Sequence, residues 1–295
     1  MDVRYIFVGQ KGVECIVNDS FLVLFWVYGE FLEDGSLFFA ESGRRIEHRA
    51  AASAYRDFLS LGSQGHDVGS TQFKTYDQRV LFAALNEPGV GGASPQVQGD
   101  MLAPDSKEFA DRLLAYEQVC IDAVRATGGN NASRVLIVQT PKTEIDLAAK
   151  DSYDITRLKD KVKNRLMAEV HFYDPYIFTL MEKDADWGKV ALYWKGHAPA
   201  DDQGRTVNTI WYNNKNVDAY QHIINQVMKM KKKFVDKGYP VVIGEYGANR
   251  KDASLFGGNQ EKHNESMMAW YGAVTAEMMK AGLIPYVWDI NVQPL

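Results

Sequence analysis

The sequence predicts an α/β protein with a parallel sheet, of the (β/α)8 TIM-barrel class. Three observations carry that expectation. From Arg79 onward, apolar runs of strand length alternate with amphipathic runs of helix length, five times over, which is the pattern of β-loop-α units. Polar residues gather at the C-terminal tip of each apolar run: Asn86-Glu87, Gln139, His171 with Tyr173, Glu245, and Trp288. A barrel whose site is built from the ends of several strands has that distribution. The length of 295 residues also accommodates the roughly 250 that eight units need. No G-x-G-x-x-G or P-loop follows any strand, which removes the best cue for a nucleotide-binding doubly wound sheet.

The elements follow in order. Apolar runs at 5–8 and 21–28 have strand character, and 46–61 has a helical face of Ala51, Tyr55, Phe58 and Leu59. The glycines and serines of 62–70 predict a loop. Residues 80–85 are continuously apolar, as in a strand buried on both faces, until Asn86-Glu87-Pro88 stops them. After a Gly-rich loop at 89–99, residues 106–126 form a helix, with Asp105 and Glu108 as a capping-box-like start. Phe109, Leu113, Tyr116, Val119 or Cys120, and Val124 share one face of it. Strands are expected at 134–138 and 167–173, the second stopped by Asp174-Pro175. A long loop then carries Trp187, Tyr193, Trp194, Trp211 and Tyr212. The helix at 217–235 presents Tyr220, Ile223, Ile224, Val227 and Phe234, and the helix at 260–281 presents Met267, Trp270, Val274 and Met278. Strands at 240–244 and 283–287 lead to Glu245 and Trp288.

An apolar fraction of 46% and a charged fraction of 24% describe an ordinary globular chain with ample core. A net charge of −5 argues against nucleic acid or an anionic membrane as partner. Of two cysteines, Cys120 reads as a buried thiol. Met1-Asp2-Val3-Arg4 does not open a secretory signal, and the apolar run at 21–28 is too short to span a bilayer.

A carboxylate at the tip of a buried strand is costly to desolvate unless something uses it. Each tip glutamate alone is as readily an ion-pair partner of a nearby cation. Glu87 and Glu245 together point to glycoside hydrolysis, which needs one protonated acid and one ionised carboxylate. His171 and Tyr173 are two apart on one strand and face the same way. Such a tyrosine hydroxyl can orient a nucleophile, and Asn86 can hold a sugar hydroxyl. Trp288 is a core residue by default, and at a strand tip it can also serve as a flat floor for a sugar ring. The six histidines show no metal-ligand spacing, so neither metal nor cofactor is implied.

Leu85-Asn86-Glu87-Pro88, Val170-His171-Phe172-Tyr173, Ile243-Gly244-Glu245-Tyr246-Gly247 and Pro285-Tyr286-Val287-Trp288-Asp289, in this order, resemble glycoside hydrolase family 5, above all its bacterial endoglucanases (cellulases). The resemblance covers about residues 71–293. It implies a barrel with retaining chemistry, Glu87 matching the acid/base, Glu245 the nucleophile, and Asn86, His171, Tyr173 and Trp288 the substrate-side residues. The implied activity is endo-β-1,4-glucanase action on cellulose or related β-glucans, with mannan, xylan and xyloglucan as alternatives and a catalytically impaired glycan-binding remnant as the competing class. A polysaccharide or oligosaccharide is the implied partner, and a secreted or periplasmic location the implied compartment. Residues 1–70 depart from the family, which has three β/α units there, an Arg ending the second strand and a His ending the third. Gly65-His66-Asp67 echoes only the last of these. The expected organisation is therefore an atypical region at 1–70, read out of frame in part, and a catalytic barrel region at 71–295 truncated before its closing helix.

Overall fold

The structure is a computed structural model that describes residues 74–83, 85–89, 102–201 and 204–288 in full, and the backbone of six strands before residue 47. The chain divides into two compact parts, Met1–Val170 and His171–Leu295.

In the first part, strands β1 (Ile6–Val8), β2 (Val13–Asn18) and β3 (Phe21–Trp26) form an antiparallel meander. β4 (Glu30–Phe31), β5 (Leu37–Phe39) and β6 (Arg44–Ile46) form a separate antiparallel sheet. The pairing within each of these two groups is antiparallel, unlike that of successive β/α units, in keeping with the departure of the first 70 residues. The expected helix at 46–61 loses Ile46 to β6, and its remainder, like the loop at 62–70, lies outside the described residues. Parallel pairing begins at β7 (Val80–Ala83), which aligns Leu22 with Val80 on one side and Phe82 with Leu136 of β8 (Leu136–Glu144) on the other. β9 (Leu166–Phe172) is next in the sheet. All four residues of β7 are buried, as a continuous apolar run predicts for a parallel strand covered on both faces, and all seven of β9 are buried too, Glu169 and His171 included.

Helix α1 (Lys107–Ala126) connects β7 to β8 and buries Phe109, Leu113, Tyr116, Cys120 and Val124 on the expected face. Its cap differs from expectation. Ser106 Oγ, not Asp105, accepts from the Phe109 amide at 3.0 Å, and Asp105 pairs with Lys150 instead. A serine hydroxyl at that position satisfies one of the four orphan amides of the first turn. A buried two-pronged pair, Arg125 to Asp160 at 2.9 and 2.6 Å, then fixes the end of α1 to the segment entering β9.

Arg134 is the second departure. Expected as the first residue of a strand, it precedes β8 and is buried instead. Its guanidinium donates to the carbonyls of Tyr76, Asp77 and Val80 at 2.6–2.7 Å, and to Asn131 Oδ1 at 2.7 Å, while lying over the Phe82 ring. A planar fork of donors suits such a cluster of acceptors. Arg134 thereby anchors the segment that leads into β7. Arg134→Met should strand buried carbonyls and destabilise the fold by about 3 kcal/mol, read as a lowered urea midpoint. A midpoint equal to wild type would remove this anchoring role. β8 also runs past Gln139 to Glu144 rather than stopping at the tip, and α2 (Ile145–Ala148) follows it.

In the second part, the long aromatic segment holds α3 (Tyr176–Thr179), a short parallel pair β10 (Tyr193–Trp194) and β11 (Thr206–Val207), and a hairpin of β12 (Thr209–Tyr212) and β13 (Lys215–Asp218). Its aromatics split into two sets. Tyr193 and Trp194 are core residues, whereas Trp187 and Trp211 are 68% and 67% exposed. Helix α4 (Ala219–Lys233) starts later than expected because Val217 belongs to β13, and Asp218 caps it. Ile223, Val227 and Phe234 are buried, but Tyr220 lies at the surface, its hydroxyl donating to Glu277 at 2.8 Å. β14 (Val241–Tyr246), α5 (Gln260–Lys280) and β15 (Ile284–Val287) complete the part, with β14 and β15 parallel. Among the described residues, no helix is long and apolar enough to cross a membrane.

Candidate active site

β14 delivers Glu245 from inside the strand rather than from just beyond it. Val241, Val242 and Ile243 are fully buried, and Glu245 is 6% exposed. One oxygen of Glu245 holds most of the local geometry: the Tyr173 hydroxyl donates to Oε2 at 2.8 Å, and His171 Nδ1 lies 3.4 Å from the same atom. Two-residue spacing places His171 and Tyr173 on one side of the β9 line, as the sequence predicts. A buried carboxylate that accepts from a phenol has that oxygen fixed, and the plane of the group is set with it. Trp288 follows β15, half-buried, and its amide donates to the Tyr246 carbonyl at 2.9 Å. Gly247 permits that approach: a Cβ there would come within 3.0 Å of the Trp288 carbonyl.

In the first part, Asn86 and Glu87 occupy the turn after β7. Glu87 has φ +46°, a left-handed conformation that non-glycine residues adopt at a cost of about 1 kcal/mol or more. The turn is fixed on both sides. The Lys142 amide donates to the Pro88 carbonyl at 2.8 Å. Gly89 has φ +92°, and a Cβ there would sit 2.7 Å from the Phe109 ring. Strain held by such packing is a common property of functional turns. Asn86 is buried, and its Oδ1 has no hydrogen-bond partner among the described residues.

Two glutamates outside the sequence-based candidates lie in the same part, Glu117 on α1 and Glu169 on β9. Gln139 bridges them: its amide donates to Glu117 Oε1 at 2.7 Å and its side-chain Nε2 to Glu169 Oε2 at 2.5 Å. Glu117 and Glu169 are both buried, and burial, with the charge of Glu169 beside it, pushes the Glu117 carboxyl up to about 8. Alternation offered a signal for Glu169, which stands two residues before His171. For Glu117 the signal was helical spacing, four residues after Leu113 on the apolar face of α1.

Residues 67–293 match the model of the cellulase family, glycosyl hydrolase family 5. The chain belongs to glycosyl hydrolase family 5. The family 5 match begins near the point where parallel β/α sequence begins, and it takes in every candidate residue named above. Among family 5 relatives, a xyloglucan-specific endo-β-1,4-glucanase of Bacteroides ovatus is 32% identical over 225 residues, covering 74% of this chain and 38% of that protein. Endoglucanase A of Paenibacillus barcinonensis is 30% identical over 231 residues, covering 75% and 50%. The chain thus spans half or less of the length of these relatives. A solved xyloglucan-specific β-1,4-glucanase from a ruminal metagenomic library, in complex with XXLG, is similar with a TM-score of 0.64 at 31% identity, over 84% of this chain and 57% of that one. The Bacteroides ovatus xyloglucanase bound to an XXXG heptasaccharide gives 0.62 at 28% identity, over 82% and 46%. The fold is accordingly the α/β barrel of family 5, present in part.

Proposed function

We propose that this chain is a retaining glycoside hydrolase that cleaves internal β-1,4-glucosidic bonds of cellulose or a related β-glucan. The observation that carries the reading is the buried Glu245 carboxylate with Oε2 tied to the Tyr173 hydroxyl. A nucleophile needs one oxygen aimed at the reacting carbon, and a fixed partner on the other oxygen supplies the aim. Glu245 attacks the anomeric carbon, the bond to the leaving oxygen breaks, and Glu87 gives that oxygen its proton. Water then enters at the anomeric carbon with Glu87 as base, and Glu245 leaves as a carboxylate. The unpartnered Asn86 Oδ1 accepts a sugar hydroxyl, His171 contacts the sugar beside Glu245, and Trp288 stacks under a ring. Residues 71–295 form the catalytic region, which acts on polysaccharide outside the cytoplasm.

Xyloglucan is the second reading for substrate, favoured by two xyloglucan-specific proteins among the relatives. Proton NMR of a cello-oligosaccharide digest tests the stereochemistry. The first-formed reducing ends should be β-anomers, turning to the equilibrium mixture later. Initial α-anomers would rule out the covalent route. Parallel assays on carboxymethylcellulose, lichenan and xyloglucan rank the substrates, and failure to cut any of them would favour a glycan-binding remnant.

A further inference from the structure

Tyr173 is useful to Glu245 only if its hydroxyl is held in place, and the residues that hold it come from three other elements. Its carbonyl accepts from Thr179 Oγ1 of α3 at 2.5 Å. The next carbonyl, of Asp174, accepts from the indole Nε1 of Trp270 in α5 at 3.1 Å. The Asp174 carboxylate reaches the third element: Oδ2 lies 2.8 Å from His222 Nε2 in the first turn of α4. The backbone on the C-terminal side of Tyr173 is therefore fixed at two carbonyls and one side chain.

His222 is unusual among these partners. It is 1% exposed, and its Nδ1 is buried with no hydrogen-bond partner among the described residues. The Tyr212 ring packs edge-on against the imidazole at 4.9 Å between centroids, and Lys229 donates to the Tyr212 hydroxyl at 2.5 Å. A proton on Nε2 donated to Asp174 satisfies that nitrogen, beside which the Gln226 side-chain amide also lies, at 3.4 Å. A proton on Nδ1 would be a buried donor without an acceptor. A half-exposed carboxylate normally takes its partners from water. Here it is also given a fixed donor from inside the protein.

We propose that His222 and Asp174 form a positioning pair that fixes Tyr173 against Glu245, so that the aim of the nucleophile depends on a helix that carries no substrate-side residue. The proposal rests on the assignment of Glu245 as nucleophile. Neither His222 nor Asp174 touches the reacting atoms. Their influence passes through the Tyr173 hydroxyl and through nothing else, which separates positioning from general structural support.

A double-mutant cycle on the full chain tests this, with 2,4-dinitrophenyl β-cellobioside as substrate because its leaving group needs no proton from Glu87. His222→Ala should lower the rate of glycosyl-enzyme formation about 10- to 100-fold, the order expected when a reacting group is displaced by an ångström, with KM changed less than about twofold. Asp174→Ala should do the same, and its half-exposed position guards the test against a His222 variant that does not fold. Asp174→Asn should restore most of the rate, since an amide oxygen still accepts from Nε2–H. In a Tyr173→Phe background, His222→Ala should lower the rate by less than about twofold. Equal losses in the wild-type and Tyr173→Phe backgrounds would overturn the pair's role, as would an Asp174→Asn variant no better than Asp174→Ala. Failure of the underlying assignment has a different signature: a Glu245→Ala variant that still forms product from this substrate.

Discussion

Glu245→Ala is expected to abolish turnover, lowering kcat by about 10⁴-fold or more, because the two-step route loses the atom that forms the covalent bond. Binding of cello-oligosaccharide should survive, since the side chains proposed to hold sugar are left unchanged. Glu87→Ala should cost about 10²- to 10⁴-fold on polysaccharide, the range of a lost general acid. On a dinitrophenyl glycoside its first step should be nearly untouched, and the intermediate should accumulate because the base for water is gone. Azide distinguishes the two roles by stereochemistry. With Glu87→Ala it should enter in place of activated water and give the β-glycosyl azide. With Glu245→Ala it should enter from the vacated side and give the α-azide. Unchanged activity in either variant would refute the assignment of that residue. A crystal structure of a substrate complex adds a geometric check: carboxyl groups about 5–5.5 Å apart fit retention, and a separation beyond about 10 Å defeats the mechanism.

The sequence was most legible where burial was two-sided. β7 and the first half of β14 read as unbroken apolar runs because parallel strands covered on both faces need no polar alternation, whereas β9 carries Glu169 and His171 within its buried run. The polar residue that ends each unbroken run is then conspicuous, and Glu87 and Glu245 stand out for that reason. Helix faces were legible through spacing: α1 buries Phe109, Leu113, Tyr116 and Val124, and α5 buries Trp270, Val274 and Met278 but leaves Met267 half-buried. Capping was less so, because Asp105 and Ser106 are both good caps and one residue of offset decides between them. Arg134 misled because an arginine before Val-Leu-Ile-Val looks like a strand edge. Its burial depends on three carbonyls 54 to 58 residues away in sequence, which no local pattern encodes. The aromatic segment resisted for a related reason. Tyr193 and Trp187 have the same local character, and only tertiary packing buries one and exposes the other. Asp174 and His222 were invisible as a pair because their link spans 48 residues, which no local pattern encodes.

Stability should fall as pH rises from about 4.5 to about 8, and the cause is Glu117. Its carboxyl is fully buried beside Glu169, so the folded protein keeps it protonated up to about 8, whereas the unfolded chain releases the proton near the ordinary value of 4.5. Between those values the folded state binds more protons than the unfolded state, and each rise in pH favours unfolding. Below about 4.5 the contribution is fully present, and above about 8 it is fully lost. The span corresponds to a loss on the order of 3–5 kcal/mol, an upper figure because opening of the site to water relieves a buried charge. Burial is the main cause of the rise and the charge of Glu169 adds to it, while the Gln139 amide, donating to Glu117 at 2.7 Å, works against them. Glu117→Gln preserves shape and the acceptor for the Gln139 amide while removing the proton that titrates. Urea unfolding at intervals from pH 5 to pH 9 should therefore show a declining midpoint for wild type and a flatter one for Glu117→Gln, with the variant the more stable at the alkaline end. Parallel curves for the two proteins would mean that Glu117 is ionised in the folded state across the range. The expected crossing has a consequence for the site above: Gln139 and Glu169 lie on β8 and β9, and Glu169 is two residues from His171 on the same face. Ionisation of Glu117 near pH 8 should loosen the strand that presents His171, so activity should fall on the alkaline side at the pH where the stability of wild type does, and the fall should shift upward in Glu117→Gln.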